Sequence, residues 1–187
     1  MKLIHLTFRS LAAVCLAFML SSASCSLLDK LDDVNFDVDL EHTFIINASP
    51  TDPLSYADVN EFDPTDNADF NKYKSKVKEV TIKSVEYTVT NYVGDPSITF
   101  NNGKGSFFTV GTSSTALASA GIDIQNISAV QGVTKTLDYT VQGLEAIGNE
   151  IEQLRAVKFE VSGNVSQVPV AFNVQVKIRM TIKADAL

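Results

Sequence analysis

From Val34 to Ile46 the chain alternates. Val34, Phe36, Val38, Leu40, His42, Phe44 and Ile46 share one parity, and Asn35, Asp37, Asp39, Glu41 and Thr43 lie between them. Successive side chains of a strand point to opposite faces, so strict period two predicts a strand with one buried and one wet face. At about 3.3 Å per residue it runs roughly 43 Å. The chain closes the same way. Val168, Val170, Phe172, Val174, Val176, Ile178, Met180 and Ile182 alternate against Lys177, Arg179, Thr181 and Lys183. Pro169, which lacks an N–H, predicts an edge or a bend at the start of that strand.

Between these two strands the pattern is less regular. Residues 47–76 break the pattern: Asn47 to Pro53, with two prolines, reads as a loop, Asp58 to Asp69 as an acidic loop with Pro64 inside it, and Asp66 to Lys76 as a short helix capped by Thr65 or Asp66. Val77 to Val93 reads as a strand whose phase flips near Lys83-Ser84, as a bulge would make it. Gly94-Asp95-Pro96 is a turn. Ser97–Phe100 and Ser106–Val110 flank Asn101-Asn102-Gly103-Lys104-Gly105, which predicts a hairpin with its tip at Asn-Gly. Residues 111–132 carry one short strand around Ile122, Ile124 and Ile127. Leu137, Tyr139 and Val141 alternate again. Leu144, Ile147, Ile151 and Leu154 fall at helical spacing, and Val157, Phe159 and Val161 form a strand turned by Ser162-Gly163-Asn164. The sum is a mainly β chain: an antiparallel β-sandwich of seven to eight strands with one or two short helices.

The first 33 residues have a different character. Lys2 and Arg9 precede a ten-residue apolar run, Leu11 to Leu20, too short to span a bilayer but long enough for an export signal. Small residues follow at Ser21 to Ser24, and then Cys25. Ser22-Ala23-Ser24-Cys25 resembles a lipobox in a loose form, without leucine at the third position before the cysteine. The expectation is a lipoprotein signal over 1–24, a lipidated Cys25 with an acidic tether to residue 33, and one domain over 34–187. A plain secretory signal cut near Ala23, with Cys25 incidental, is the alternative. The only other cysteine, Cys15, lies within the leader, so the expected mature chain has no internal disulfide and relies on its core. Each buried acyl methylene contributes about 0.8 kcal/mol, so two or three chains hold such a protein on a membrane.

Charge adds one more feature. Removing the leader, which holds two basic and no acidic residues, takes the formal charge from −7 to −9. Residues 29–69 carry 12 acidic side chains against Lys30 alone. No basic stripe exists to neutralise phosphates, which excludes nucleic acid as a partner. An acidic start is repelled by anionic lipid and favours a stalk standing off the surface; a simple solvated face explains it equally.

Catalytic chemistry is sparse. His42, the one histidine after the leader, lies on the apolar parity of the first strand and reads as a core residue. No glycines of a nucleophile elbow surround any serine, and one histidine with no free thiol argues against zinc. Glu150 and Glu152 stand two apart on a helix and point away from each other, which does not suit paired-carboxylate hydrolysis. Asp58, Asn60, Asp63, Asp66, Asn67 and Asp69 are hard oxygen ligands bunched as in a calcium loop, but EF-hand spacing is absent; capping and solvation account for them equally. No catalytic residue, metal or cofactor is assigned. Without tryptophan, only Tyr56, Tyr73, Tyr87, Tyr92 and Tyr139 can offer a platform to a sugar, and core packing is the expectation for each.

The loose lipobox, the acidic tether, the Val34-Asn-Phe-Asp-Val-Asp39 start and the alternating C-terminal strand together resemble small lipoproteins of Bacteroidetes-type bacteria. The resemblance implies an outer-membrane location, and Ser26 after the cysteine agrees with it. It carries over no functional residue. The sandwich with a helix is also similar in outline to the stress-protein domain of the late-embryogenesis-abundant type 2 group. The expected function is a non-enzymatic, lipid-anchored module of the cell envelope that binds a protein or glycan or acts structurally. A carrier of a lipid or other apolar ligand is the alternative, and an envelope hydrolase the weaker one.

Overall fold

The computed structural model describes residues 33–111 and 115–186. Eight strands follow one another: β1 (Asp33–Ala48), β2 (Ser55–Phe62), β3 (Val77–Val93), β4 (Phe100–Thr109), β5 (Ala118–Ile124), β6 (Thr134–Thr136), β7 (Val157–Val165) and β8 (Val170–Asp185). Two short helices, α1 (Ala68–Tyr73) and α2 (Val141–Glu152), interrupt them. The compact unit is Asn35–Ala184; the second unit, 1–34 with 185–187, contributes to the described residues only the ends of β1 and β8 and Ala186.

The strands form two antiparallel four-stranded sheets, ordered β1-β8-β3-β6 and β2-β7-β4-β5. The chain changes sheet at every connection except β4 to β5. Eight strands wound in this order make a jelly roll, the double-sheet form of the expected sandwich. The alternation at the two ends of the chain is explained by this order. β1 and β8 are neighbours; every second residue of β8 is buried, and every second residue of β1 is buried or half-buried.

Phenylalanines fill the space between the sheets. Phe159 on β7 meets Phe44 on β1 at 5.9 Å between ring centroids, Phe62 on β2 at 6.3 Å and Phe107 on β4 at 4.7 Å. Phe100 on β4 stacks edge-on against Phe172 on β8 at 5.9 Å. Tilted and edge-on rings at these separations suit the aromatic quadrupole. Phe70 drives α1 into the same core, and Ile147 and Ile151 do so for α2.

Several sequence-based expectations are corrected. No strand is expected within 47–76, yet β2 runs from Ser55 into the acidic loop expected at 58–69 and pairs along its full length with β7. Only Phe62 of that strand is fully buried, and its valine, Val59, lies on the wet face at 50% exposure, so no alternation betrays it. The hairpin tip expected at 101–105 lies inside β4. Asn102 adopts φ 52° and the register shifts around it against both β5 and β7, so Asn-Gly here makes a bulge within a strand. Gly103 is required because a Cβ would stand 2.1 Å from the Ile122 carbonyl oxygen. The turn expected at Ser162-Gly163-Asn164 is likewise continuous β7; Gly163 makes room for the Phe100 ring, 2.4 Å from where its Cβ would be.

The strand expected over Leu137, Tyr139 and Val141 is absent: β6 spans Thr134–Thr136, just before it, and Val141 begins α2, capped by the Thr140 hydroxyl. α1 is capped by Asn67, which accepts from Asp69 and Phe70, not by Thr65 or Asp66. Of the edge or bend expected at Pro169, the bend is present immediately before β8, while β8 itself is an inner strand of its sheet. The phase flip near Lys83-Ser84 is a register shift between Ile82 and Ser84 against β8.

Candidate functional site

The leader and Cys25 lie outside the described residues. Among the described residues no helix is long and apolar enough to cross a membrane.

His42 is half-buried, with its ring edge-on to Phe44 at 4.8 Å and to Phe62 at 6.3 Å. It opens onto a cleft of about 410 Å³ between β1 and β2, lined also by Asp39, Glu41, Glu61, Asp63 and Asp66. No serine lines this cleft, so His42 has no hydroxyl nucleophile beside it there. Nucleophilic catalysis needs that base within hydrogen-bond reach of its nucleophile.

Four of the six oxygen-bearing residues between Asp58 and Asp69, namely Asp58, Asn60, Asp63 and Asn67, are spent on local structure. Asp58 accepts from the Tyr56 hydroxyl at 3.1 Å and from the Val59 N–H at 2.8 Å. Asp63 caps the 3₁₀ turn Pro64–Asp66 by accepting from the Thr65 N–H and hydroxyl. Asn67 caps α1. Asp58 and Asn60 stand on β2 while Asp69 stands on a helix, and among the described residues no three His, Cys, Asp or Glu side chains gather as a metal set. Glu150 pairs with Arg155 at 3.3 Å, while Glu152 lines a groove elsewhere on α2.

The acidic parity of β1 meets the basic parity of β8. Lys177 bonds Glu41 and lies 3.5 Å from Asp39. The Thr181 hydroxyl donates to Asp37 at 2.6 Å, and Arg179 reaches across to Glu86 of β3 at 3.2 Å. The excess acid of the N-terminal third is thus partly neutralised by the end of the chain. The hydrogen bond to Glu41, with the fields of Glu41 and Asp39, holds the Lys177 ammonium above the ordinary lysine range.

The tyrosines serve the fold. Tyr139 donates to the Gly105 carbonyl at 2.8 Å and leans on Phe107, and burial pushes its hydroxyl well above the ordinary range. Tyr87 is buried, Tyr73 packs on Phe36 at 5.2 Å, and Tyr92 donates to the Asp95 carbonyl. Tyr56 bonds Asp58, and burial is the first cause of its raised pKa. Ser97 donates to the Asp95 carboxylate through its hydroxyl and N–H, which lowers that carboxyl below the ordinary range.

A second feature, a groove of about 360 Å³ between β3 and α2, was not legible in the sequence. Its floor is apolar: Val80, Ile82 and Leu144, with Val141 at its lip. Its rim is acidic: Glu79, Glu145 and Glu152. The signal available in the sequence was an amphipathic helix bearing acids, without any indication of which strand it would flank.

No family model matches the chain, and no curated protein matches it. Solved structures of similar outline include that of Desmodium yellow mottle tymovirus, at 11% identity and a TM-score of 0.36, covering 82% of this chain and 85% of that one. A structure of turnip yellow mosaic virus gives 8% identity and 0.38, covering 81% and 96%. The decameric BFDV capsid protein gives 11% and 0.35, covering 80% and 98%. Likeness at this level does not bear on activity, substrate or partner.

Proposed function

We propose that the chain is a non-enzymatic, lipid-anchored binding or structural module of the cell envelope, held at the outer membrane through Cys25. The anchor rests on the leader and its Ser22-Ala23-Ser24-Cys25 segment. The observation that favours a packed module over a carrier is the filled interior. Phe44, Phe100, Phe107, Phe159 and Phe172 are essentially without exposure and meet ring to ring where a ligand cavity would have to open. Ligand pockets are concave and bury most of their ligand, whereas the cleft beside His42 opens between β1 and β2, edge strands of the two sheets, and the groove beside α2 lies along β3.

A hydrolase loses ground for a related reason, since His42 is bracketed by phenylalanine rings in a cleft without a hydroxyl nucleophile. Native mass spectrometry of residues 26–187, purified from the envelope and followed by solvent extraction, tests the reading. A mass equal to the bare polypeptide is expected. A retained apolar mass overturns it in favour of the carrier.

A further inference from the structure

We propose that Lys72 on α1, with Lys74 and Lys76 on the 3₁₀ turn that follows it, forms a surface that lies against the anionic phospholipid headgroups of the membrane carrying the anchor. This deepens the reading above by fixing which end of the domain meets the membrane, and it rests on the lipidated Cys25.

Three observations converge on this surface. The first is place. The chain enters the compact unit at Asn35, and the next residue, Phe36, packs its ring on Tyr73 of α1 at 5.2 Å. Lys72 and Lys74 flank that tyrosine in the chain. Asn35 is ten residues beyond Cys25, a reach of at most about 36 Å. A tether of that length keeps the Phe36 end of the domain, and the lysines with it, within reach of the anchoring surface.

The second observation is unspent charge. Lys72 and Lys74 are exposed and Lys76 is half-buried. Among the described residues none of the three makes an ion pair. The Lys72 ammonium lies over the Tyr73 ring, 4.7 Å from its centroid, which leaves its charge in place. A lysine near an anionic membrane strengthens binding about fivefold, and basic groups clustered beside a lipid anchor add their effects.

The third observation is where the neighbouring acids go. Asp63 and Asp66 line the cleft beside His42. Asp39 and Glu41 face Lys177, and Asp37 accepts from Thr181. Glu79, three residues beyond Lys76, stands opposite Lys183 in the pairing of β3 with β8. Asp69, one turn before Lys72, is the acid of this segment that stays beside the lysines. Asp29, Asp32 and Asp33 of the tether act against the contact and set its strength below that of three lysines alone. The anchor compensates, because it makes the contact intramolecular and raises the effective concentration of headgroups at the lysines.

The probe is the mature lipidated protein reconstituted into vesicles of phosphatidylcholine, alone or with phosphatidylglycerol added. Amine labelling of each lysine is read by mass spectrometry. In the anionic vesicles labelling of Lys72, Lys74 and Lys76 should fall about tenfold relative to the neutral ones. Lys104, exposed on β4, should not change. Salt of about 1 M, where the screening length shortens to about 3 Å, should restore the labelling. Lys72→Gln combined with Lys74→Gln, both at exposed positions, should return most of the reactivity of Lys76 in anionic vesicles at an unchanged melting temperature.

Equal labelling in the two kinds of vesicle overturns the proposal, as does protection that is already present in neutral lipid or survives high salt. Protection of Lys76 that the double variant leaves intact overturns it as well. Protection that appears in neutral vesicles on raising the protein density assigns the lysines to a second copy and overturns it equally. Protein that does not incorporate into vesicles overturns the anchored reading, and this inference with it. Incorporated protein whose lysines stay fully reactive overturns this inference alone.

Discussion

Gly148 of α2 lies directly against the carbonyl oxygen of Val80 on β3: a Cβ at that position would stand 2.5 Å from it. The contact fixes how closely the helix approaches the sheet, and it reverses the usual rule for glycine in a helix. In an unconstrained helix alanine is favoured over glycine by about 1 kcal/mol. Here Gly148→Ala forces α2 off the strand, and overpacking of this kind costs about 1–3 kcal/mol. A net loss is expected, read as a lower thermal midpoint and faster amide exchange in Val141–Glu152. A rise in the midpoint would show that α2 is free to move.

The bulge in β4 makes a sharper version of the same test. Gly103→Ala sets a methyl 2.1 Å from the backbone oxygen of Ile122, which cannot rotate away. A loss of about 1–3 kcal/mol is expected in denaturant unfolding. Gly121→Ala, on the neighbouring strand β5, meets nothing within 4 Å and should change the midpoint little. Equal effects of the two would contradict the bulge.

Phe159 joins four strands through its ring contacts with Phe44, Phe62 and Phe107. Truncation to alanine removes those contacts and leaves a cavity that the two sheets cannot close. Phe159→Ala should cost about 3–5 kcal/mol, against less than about 1.5 kcal/mol for an exchange that conserves volume. Equilibrium urea unfolding gives the difference.

The β1–β8 ion pairs predict an alkaline signature. Lys177 is held above its ordinary pKa by Glu41 first and by Asp39 in addition. A raised folded pKa means that its contribution is complete below the unfolded value, about 10.4, and is lost as pH rises through the folded one. Lys177→Met should therefore narrow its deficit relative to the wild type above roughly pH 10.5. Buried Tyr139 loses its stabilisation in the same alkaline direction, but it is common to both proteins and cancels in the difference. Thermal melts of the two proteins at pH 8 and pH 11 provide the comparison.

How legible the fold was depended on which face each strand buries. β1 and β8 are buried on one face and wet on the other along most of their length, so period two ran through them uninterrupted. β3 was legible to its bulge, because a register shift flips parity in the sequence as it does in space. β2 was invisible because it is an edge strand with one fully buried residue. At Asn102-Gly103 and Gly163 the sequence offered turn chemistry, and the structure used it for close approach. A glycine that yields to an aromatic ring and a glycine that reverses the chain look alike until the ring is placed.

The site was legible in part. His42 packs among phenylalanines as its parity implied. The acidic run was read as stalk or solvated face, whereas its β1 portion faces Lys177 and Thr181 of β8, more than 130 residues away in the chain and beyond any local pattern. The groove between β3 and α2 is a product of topology and had no local signal.

The most direct test of the anchored-module account is the intact mass of the mature protein taken from membranes. The account predicts a chain beginning at Cys25 and carrying diacylglycerol with or without a further acyl group, and predicts that Cys25→Ser abolishes both that mass and membrane retention. A mature chain beginning at Ser24, or one beginning at Cys25 with an unmodified thiol and no membrane retention, would contradict it.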